Sequence, residues 1–179
     1  MNKIIHQVIA ICSFLVLSGC AVSSSVAGIS TVNSSEFKLT DGKVNLVLDS
    51  PYSEFLLQGL DEIHSEYVGE TYNETFMYKT YLHSYDGFDL YTSNANYNLK
   101  GRSFDEYYIS QITSKSPDFY SSRGITAGST VDKVMDAYGN TNILEKEGDS
   151  FVSYDYEDMK MSYFLDANDV VEEIVFRTM

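Results

Sequence analysis

The sequence predicts an α+β fold: two tandem helix–hairpin–strand units forming an antiparallel sheet with helices packed on one face. Three observations predict it. Each half of the chain opens on a short apolar stripe of helical spacing. Two strand-like runs joined by turn residues follow, and a third such run closes each half. The chain has 179 residues, 44% hydrophobic and 14% aromatic, which is the composition of one globular domain or two small ones.

The elements run in order. Lys3 supplies a minimal positive start, and residues 4–17 are mostly apolar. That run is too short, and too polar at His6 and Gln7, to span a bilayer, so residues 1–19 read as a signal peptide. Leu17-Ser18-Gly19-Cys20 follows in register and resembles the bacterial lipobox. The resemblance implies cleavage between Gly19 and Cys20, a diacylglyceryl thioether on the Cys20 sulfur, and acylation of the new N-terminus. Cys12 leaves with the leader and the Cys20 sulfur goes to lipid, so no intramolecular disulfide is expected. Two or more acyl chains, at about 0.8 kcal/mol per buried CH2, anchor a protein stably where one does not. The expected partner of this end is therefore a membrane, outside the cytoplasm. Ala21 is not the Asp that retains lipoproteins at an inner membrane, which implies the outer membrane in a two-membrane envelope. In a one-membrane cell the place is the outer face of the plasma membrane. Residues 20–35 read as the lipidated Cys and an uncharged, Ser-rich flexible tether, with a reach of roughly 20 Å.

The first unit spans 36–116 and the second 117–179. In the first, Ser50 caps a helix, Pro51 suits its first position, and Tyr52, Phe55, Leu56 and Leu60 form one face. In the second, Ser129 caps, Asp132 lies in the first turn, and Val131, Val134, Met135 and Tyr138 share a face that Gly139 ends. Helices of about three turns do not stand alone and must pack on sheet. The first hairpin pairs 75–81 with 87–92 around His83–Gly87, and the second pairs 151–156 with 159–165 around Glu157-Asp158. Met159, Met161, Tyr163 and Leu165 alternate with Lys160, Ser162 and Phe164, the period of a half-buried strand. Third strands are expected at 108–113 and 170–175, and the first unit carries an additional polar loop, Asn94-Ala95-Asn96-Tyr97-Asn98-Leu99-Lys100-Gly101-Arg102-Ser103. With both helices on one face, the other sheet face is left open to solvent or a partner.

The segment Arg123–Gly139 places Gly124-Ile125, Gly128, Thr130, Val134 and Tyr138-Gly139 in the spacing of the β-lactamase inhibitor protein-like repeat. It resembles that family at motif level, and residues 36–179 resemble it in expected architecture. The same element occurs in small lipoproteins of the outer-membrane β-barrel assembly machinery. The resemblance implies a fold and carries no catalytic residue. The inhibitors hold a disulfide within their repeats, and neither unit here contains a Cys; Gly59 also falls one place early relative to Gly139.

Chemistry is sparse. Twelve Lys+Arg against 26 Asp+Glu give a formal charge of −14, which argues against nucleic acid and against anionic headgroups. After leader removal only His64 and His83 remain, the first in an acidic stretch and the second assigned to a hairpin turn. Asp166-Ala167-Asn168-Asp169 begins like a calcium loop, but Val171 and Arg177 stand where Gly and Glu are required, so it reads as a strand-joining turn. No spacing selects a pair of carboxylates. The expectation is therefore no catalytic residue, no metal, no cofactor and no enzyme.

The unusual quantity is 15 Tyr with 10 Phe and no Trp. A half-polar face rich in Tyr has the composition of a protein-binding surface. Tyr78, Tyr81, Tyr154 and Tyr156 are the candidate binding face, with another protein as partner. The expectation is a membrane-anchored envelope lipoprotein acting as a non-enzymatic interaction module. The alternative is a structural or assembly lipoprotein of the envelope; a protein inhibitor of a secreted enzyme or a small hydrolase ranks below both. Globomycin-type inhibition of lipoprotein maturation is expected to make the precursor accumulate, read as slower gel migration. Unchanged processing would contradict the assignment of Cys20.

Overall fold

A computed structural model describes residues 32–53, 57–73 and 75–179. Strands dominate it. The larger sheet has eight antiparallel strands, β3 (His64–Asn73), β4 (Phe76–Tyr85), β5 (Phe88–Ser93), β6 (Tyr108–Ser114), β8 (Leu144–Lys146), β9 (Asp149–Tyr156), β10 (Met159–Leu165) and β11 (Val171–Thr178). Their spatial order is β3-β4-β5-β6-β11-β10-β9-β8. A smaller sheet, in the order β2-β1-β7, is made of β1 (Lys38–Thr40), β2 (Asn45–Val47) and β7 (Tyr120–Ser121).

This corrects the expected α+β class. Among the described residues there are two α-helices, α1 (Tyr97–Lys100) and α2 (Val131–Tyr138), and they do not form a helical layer over the sheet. The reason lies in where the backbone bonds go. The segment expected to open the first helix is extended instead: Pro51 bridges Tyr108, and the N–H of Asp49 and the carbonyl of Ser50 both bond to Ile109. Residues 54–56, which include Phe55 and Leu56 of the expected stripe, lie outside the described residues. The second role of cover falls to the small sheet. Lys38-Leu39-Thr40 and Asn45-Leu46-Val47 alternate about Asp41, whose carboxylate accepts from the N–H groups of Lys43 and Val44 at 2.8 and 2.7 Å. Each strand delivers one fully buried leucine.

The three strands of each unit fall close to the positions read from the sequence, and β6 pairs with β11 to join them. Each set gains a preceding edge strand, β3 on one side and β8 on the other. Helix α2 is capped one residue later than expected: Thr130, not Ser129, accepts from the Lys133 N–H, while the Ser129 hydroxyl accepts from Thr126. Gly139 ends it at φ 100° with an extended ψ of 156°. The polar loop after β5 contains α1, and its Asn94 is buried with both amide ends used, on the Lys79 N–H and the Phe104 carbonyl. The last tether residues take shape as well: Asn33 caps a 3-10 turn at Ser34–Glu36. Residues 1–31, with the leader, Gly19, Cys20 and most of the tether, lie outside the described residues.

The core lies between one face of the large sheet and a cover layer of the small sheet plus α2. Leu90, Ile112, Phe176, Met161 and Tyr163 meet Phe37, Leu39, Leu46, Val134 and Tyr138. Phe37 meets Phe176 edge-on at 6.2 Å, and Tyr138 lies 5.7 Å from Tyr163 with its hydroxyl donated to Ser121. Two cationic ties hold the periphery. Arg123 bonds Glu36 and the Ala137 carbonyl, fastening the N-terminal turn to α2. Arg102 grips both oxygens of Asp49 at 2.8 and 2.9 Å and lies over the Tyr108 ring.

Burial opposes ionisation of Asp49, but the bonds and charges of Arg102 and Lys100 outweigh it and hold its carboxyl below the usual carboxylate range. A lowered folded value stabilises the fold above the ordinary range, and that contribution is lost as pH falls through it. Asp49→Asn is expected to cost about 1 kcal/mol at neutral pH, a value already reduced for solvent screening. The deficit should shrink on acidification, checked by urea unfolding at both pH values; a pH-independent deficit would contradict the pairing.

Candidate functional site

The four candidate tyrosines do not share a face. Tyr78 points to the far side of the sheet and is only 6% exposed. Its hydroxyl donates to Asn98 at 2.9 Å and its ring meets Tyr97 edge-on, so the loop holding α1 covers it. Tyr81 lies on the core side, half-buried between Tyr67 at 5.3 Å and Tyr107 at 5.4 Å. Tyr154 and Tyr156 are in the same side's periphery, packed against the core. The Tyr154 hydroxyl donates to the Gly139 carbonyl at 2.8 Å. Desolvation, then the neighbouring Tyr138, pushes that hydroxyl up to about 12. Tyr154 thus acts as a strut between β9 and the end of α2.

Among the described residues no second layer covers the centre of the opposite face of the large sheet. Its side chains follow from register. One cross-strand row runs Leu82, Tyr91, Gln111, Arg177, Lys160, Asp155. Another runs Ser84, Asp89, Thr113, Val175, Ser162, Ser153. A third, on β11-β10-β9-β8, runs Glu173, Phe164, Phe151, Leu144. Small Ser162 and Ser153 therefore sit between an aromatic row and a charged row, and the result is a trough. The groove has a volume of about 370 Å3. Its apolar wall is Phe151 and Phe164, with ring centres 5.2 Å apart, extended by Leu144. Its opposite wall is Lys160 and Arg177, and Lys146, Glu147 and Asp149 complete the lining. Lys160 reaches Asp155 at 3.3 Å, while Arg177 and Lys146 make no ion pair among the described residues. Glu173, at the end of the aromatic row, has its carboxyl raised, chiefly by desolvation. The groove suits an apolar side chain flanked by a carboxylate.

The sequence reading missed this site, although its signal was present. Lys160, Ser162 and Phe164 alternate with the buried residues of β10, and Phe151 alternates with Val152. An aromatic residue on each otherwise polar face of two adjacent strands marks a paired apolar patch.

His83 lies within β4, not at the hairpin turn, which closes through Asp86-Gly87. It stacks on Tyr52 at 4.6 Å and gathers Glu62 at 2.7 Å and Ser65 at 3.4 Å on Nδ1, with Thr92 at 3.2 Å on Nε2. A nucleophile–base–acid relay needs the hydroxyl and the acid on different ring nitrogens. Here Ser65 and Glu62 share one nitrogen, and the hydroxyl on the other belongs to buried Thr92. The arrangement orients the imidazole without presenting an accessible nucleophile. Asp166 forms the turn between β10 and β11, accepting from Asn168 and Val170 N–H groups that, with Val170 first, lower its carboxyl. Among the described residues no three His, Cys, Asp or Glu side chains gather as a metal site, and no helix is long and apolar enough to cross a membrane.

No family model matches the chain, and no curated protein or solved structure matches it.

Tyr154→Phe is expected to lower stability by about 1 kcal/mol through loss of the bond to Gly139. Ultraviolet titration to about pH 11 should count the same number of tyrosinates in variant and parent, because Tyr154 stays protonated there. One fewer tyrosinate in the variant would contradict the buried strut.

Proposed function

We propose that this chain is a membrane-anchored envelope lipoprotein that acts as a non-enzymatic binding module and takes a protein partner on the open face of its large sheet. The single observation that carries the reading is the groove between Phe151/Phe164 and Lys160/Arg177. Aromatic residues beside an unpaired arginine are the side chains that dominate protein interfaces. Glu147 and Asp149 line the same groove and Asp155 occupies Lys160, which leaves Arg177 as the cation that meets an acidic side chain of the partner at this end of the sheet. The partner therefore inserts an apolar side chain over the two phenylalanines and sets a carboxylate against Arg177.

The anchor agrees with this direction. The lipobox resemblance puts acyl chains on Cys20. The described chain enters at Val32 and Glu36, in the cover layer, through Arg123 and the Ser122 hydroxyl. The open face is on the other side of the large sheet from that entry. The committed nitrogens of His83 support a binding role over hydrolysis. The element at Arg123–Gly139 favours a second reading, assembly of envelope β-barrels.

A photo-crosslinking residue in place of Phe164, in cells, tests both. The expected result is a discrete adduct lost in Arg177→Glu and not obtained from the same residue at position 82, at the far end of the face. An adduct that is a barrel-assembly component selects the second reading. No adduct at 164, or one indifferent to Arg177, would contradict the site.

A further inference from the structure

The two edges of the large sheet are unequal. Strand β8 has three residues, all exposed, and ends on Lys146, so it is short and charged as protected edges are. Strand β3 has ten residues, and its outer side pairs with no strand among the described residues. It carries no Lys, Arg or Pro. Tyr67 is 49% exposed, Val68 51% and Tyr72 69%, and Ile63 just before the strand is 69% exposed. Its alternate N–H and C=O groups project outward as a template for another strand. One bulge, at Val68 between Tyr67 and Gly69, adds twist without shortening the edge.

Charge selects the occupant. From residue 61 to 73 the chain carries Asp61, Glu62, Glu66 and Glu70 and no Lys or Arg. Bonds from Tyr72 first and Tyr67 next hold the Glu70 carboxyl below the usual range, and Lys79 faces it across the ladder. The contacts of Glu62 with His83 and of Glu66 with His64 fix the carboxylates in place. A second copy of this chain would set these acids against their own kind across the new ladder. We propose that the outer edge of β3 recruits an extended, lysine- or arginine-rich segment of another protein as an added strand. Main-chain bonds supply the pairing; Glu66, opposite Leu82, and Glu70, opposite Lys79, lie on opposite faces of the strand, so each face offers one carboxylate to a cation, with Tyr67, Val68 and Tyr72 beside them for the segment's apolar side chains. This surface lies at the β3 edge and the groove lies at the β8 end, so either stands if the other fails.

The test uses the full-length lipidated protein in detergent micelles with a synthetic peptide that repeats two lysines and two valines, so that lysines reach both faces, about ten residues long, and its glutamate–valine counterpart. Hydrogen exchange should show new protection confined to residues 64–73 with the lysine peptide alone. E66Q/E70Q, which removes both charges, keeps acceptors for Tyr72 and sets no lysine opposite Lys79, should weaken binding about tenfold. Val68→Pro should abolish it while keeping the parent circular dichroism spectrum, since Val68 has no partner in the β4 register. Four results would each overturn the proposal. They are no binding, equal binding of the glutamate peptide, protection of 64–73 by dimerisation, and protection without peptide that vanishes when residues 21–31 are deleted.

Discussion

One-sided burial is the constraint on which the rest of this structure depends. Among the described residues a cover layer lies over one face of an eight-stranded sheet and none over the centre of the other. Leu90, Ile112, Ile174, Phe176 and Met161 are at most 1% exposed, and all project to the same side. Their partners are the leucines of a hairpin of two three-residue strands, Phe37, and the apolar stripe of α2. An antiparallel sheet tolerates this arrangement because its backbone bonds are satisfied within the plane, leaving only side chains to meet solvent. At roughly 25 cal/mol per Å2 of apolar surface, the covered face carries most of the folding energy. The far face is thereby released from packing and holds Ser, Thr, Gln and charged residues, with Leu82, Tyr91, Val175 and the Phe151/Phe164 pair among them.

That division of labour explains the placement of the polar anchors. Arg123 and Arg102 are not in either sheet face. They tie the N-terminal turn to α2 and the β2 exit to the loop after β5, where short segments would otherwise fray. Asn94 plays the same part inside that loop, continuing the β4–β5 ladder after the strand has ended. The seam between β6 and β11 carries Phe176 opposite Ile112 and Ile174 opposite Ser114, so the two halves of the chain share one core.

Much of the strand pattern was legible because alternation on a half-buried strand is a local signal. Met159 to Leu165 gives the register of β10 directly, and Gly87 and Glu157 mark their turns with positive φ. The helical start expected at Ser50-Pro51 is extended; apolar spacing at three and four residues does not reveal that Pro51 and Ser50 are needed as partners for β6. The hairpin β1–β2 was missed because three-residue strands contain a single buried leucine each and no measurable period. Tyrosine count misled the choice of surface. Tyr138, Tyr154 and Tyr163 are consumed by the core and its rim, where each hydroxyl finds an acceptor. The aromatic pair that does face outward is phenylalanine, and it was visible in the same alternation that located the core.

Hydroxyl-radical footprinting of the intact lipidated protein tests one-sided burial most directly, because methionine and tyrosine react readily whenever solvent reaches them. The account predicts prompt modification of Phe151, Phe164 and Tyr91, with Met161 and Tyr163 silent until the protein unfolds. Labelling of Met161 and Tyr163 at the rate of Phe151 and Phe164 would contradict it.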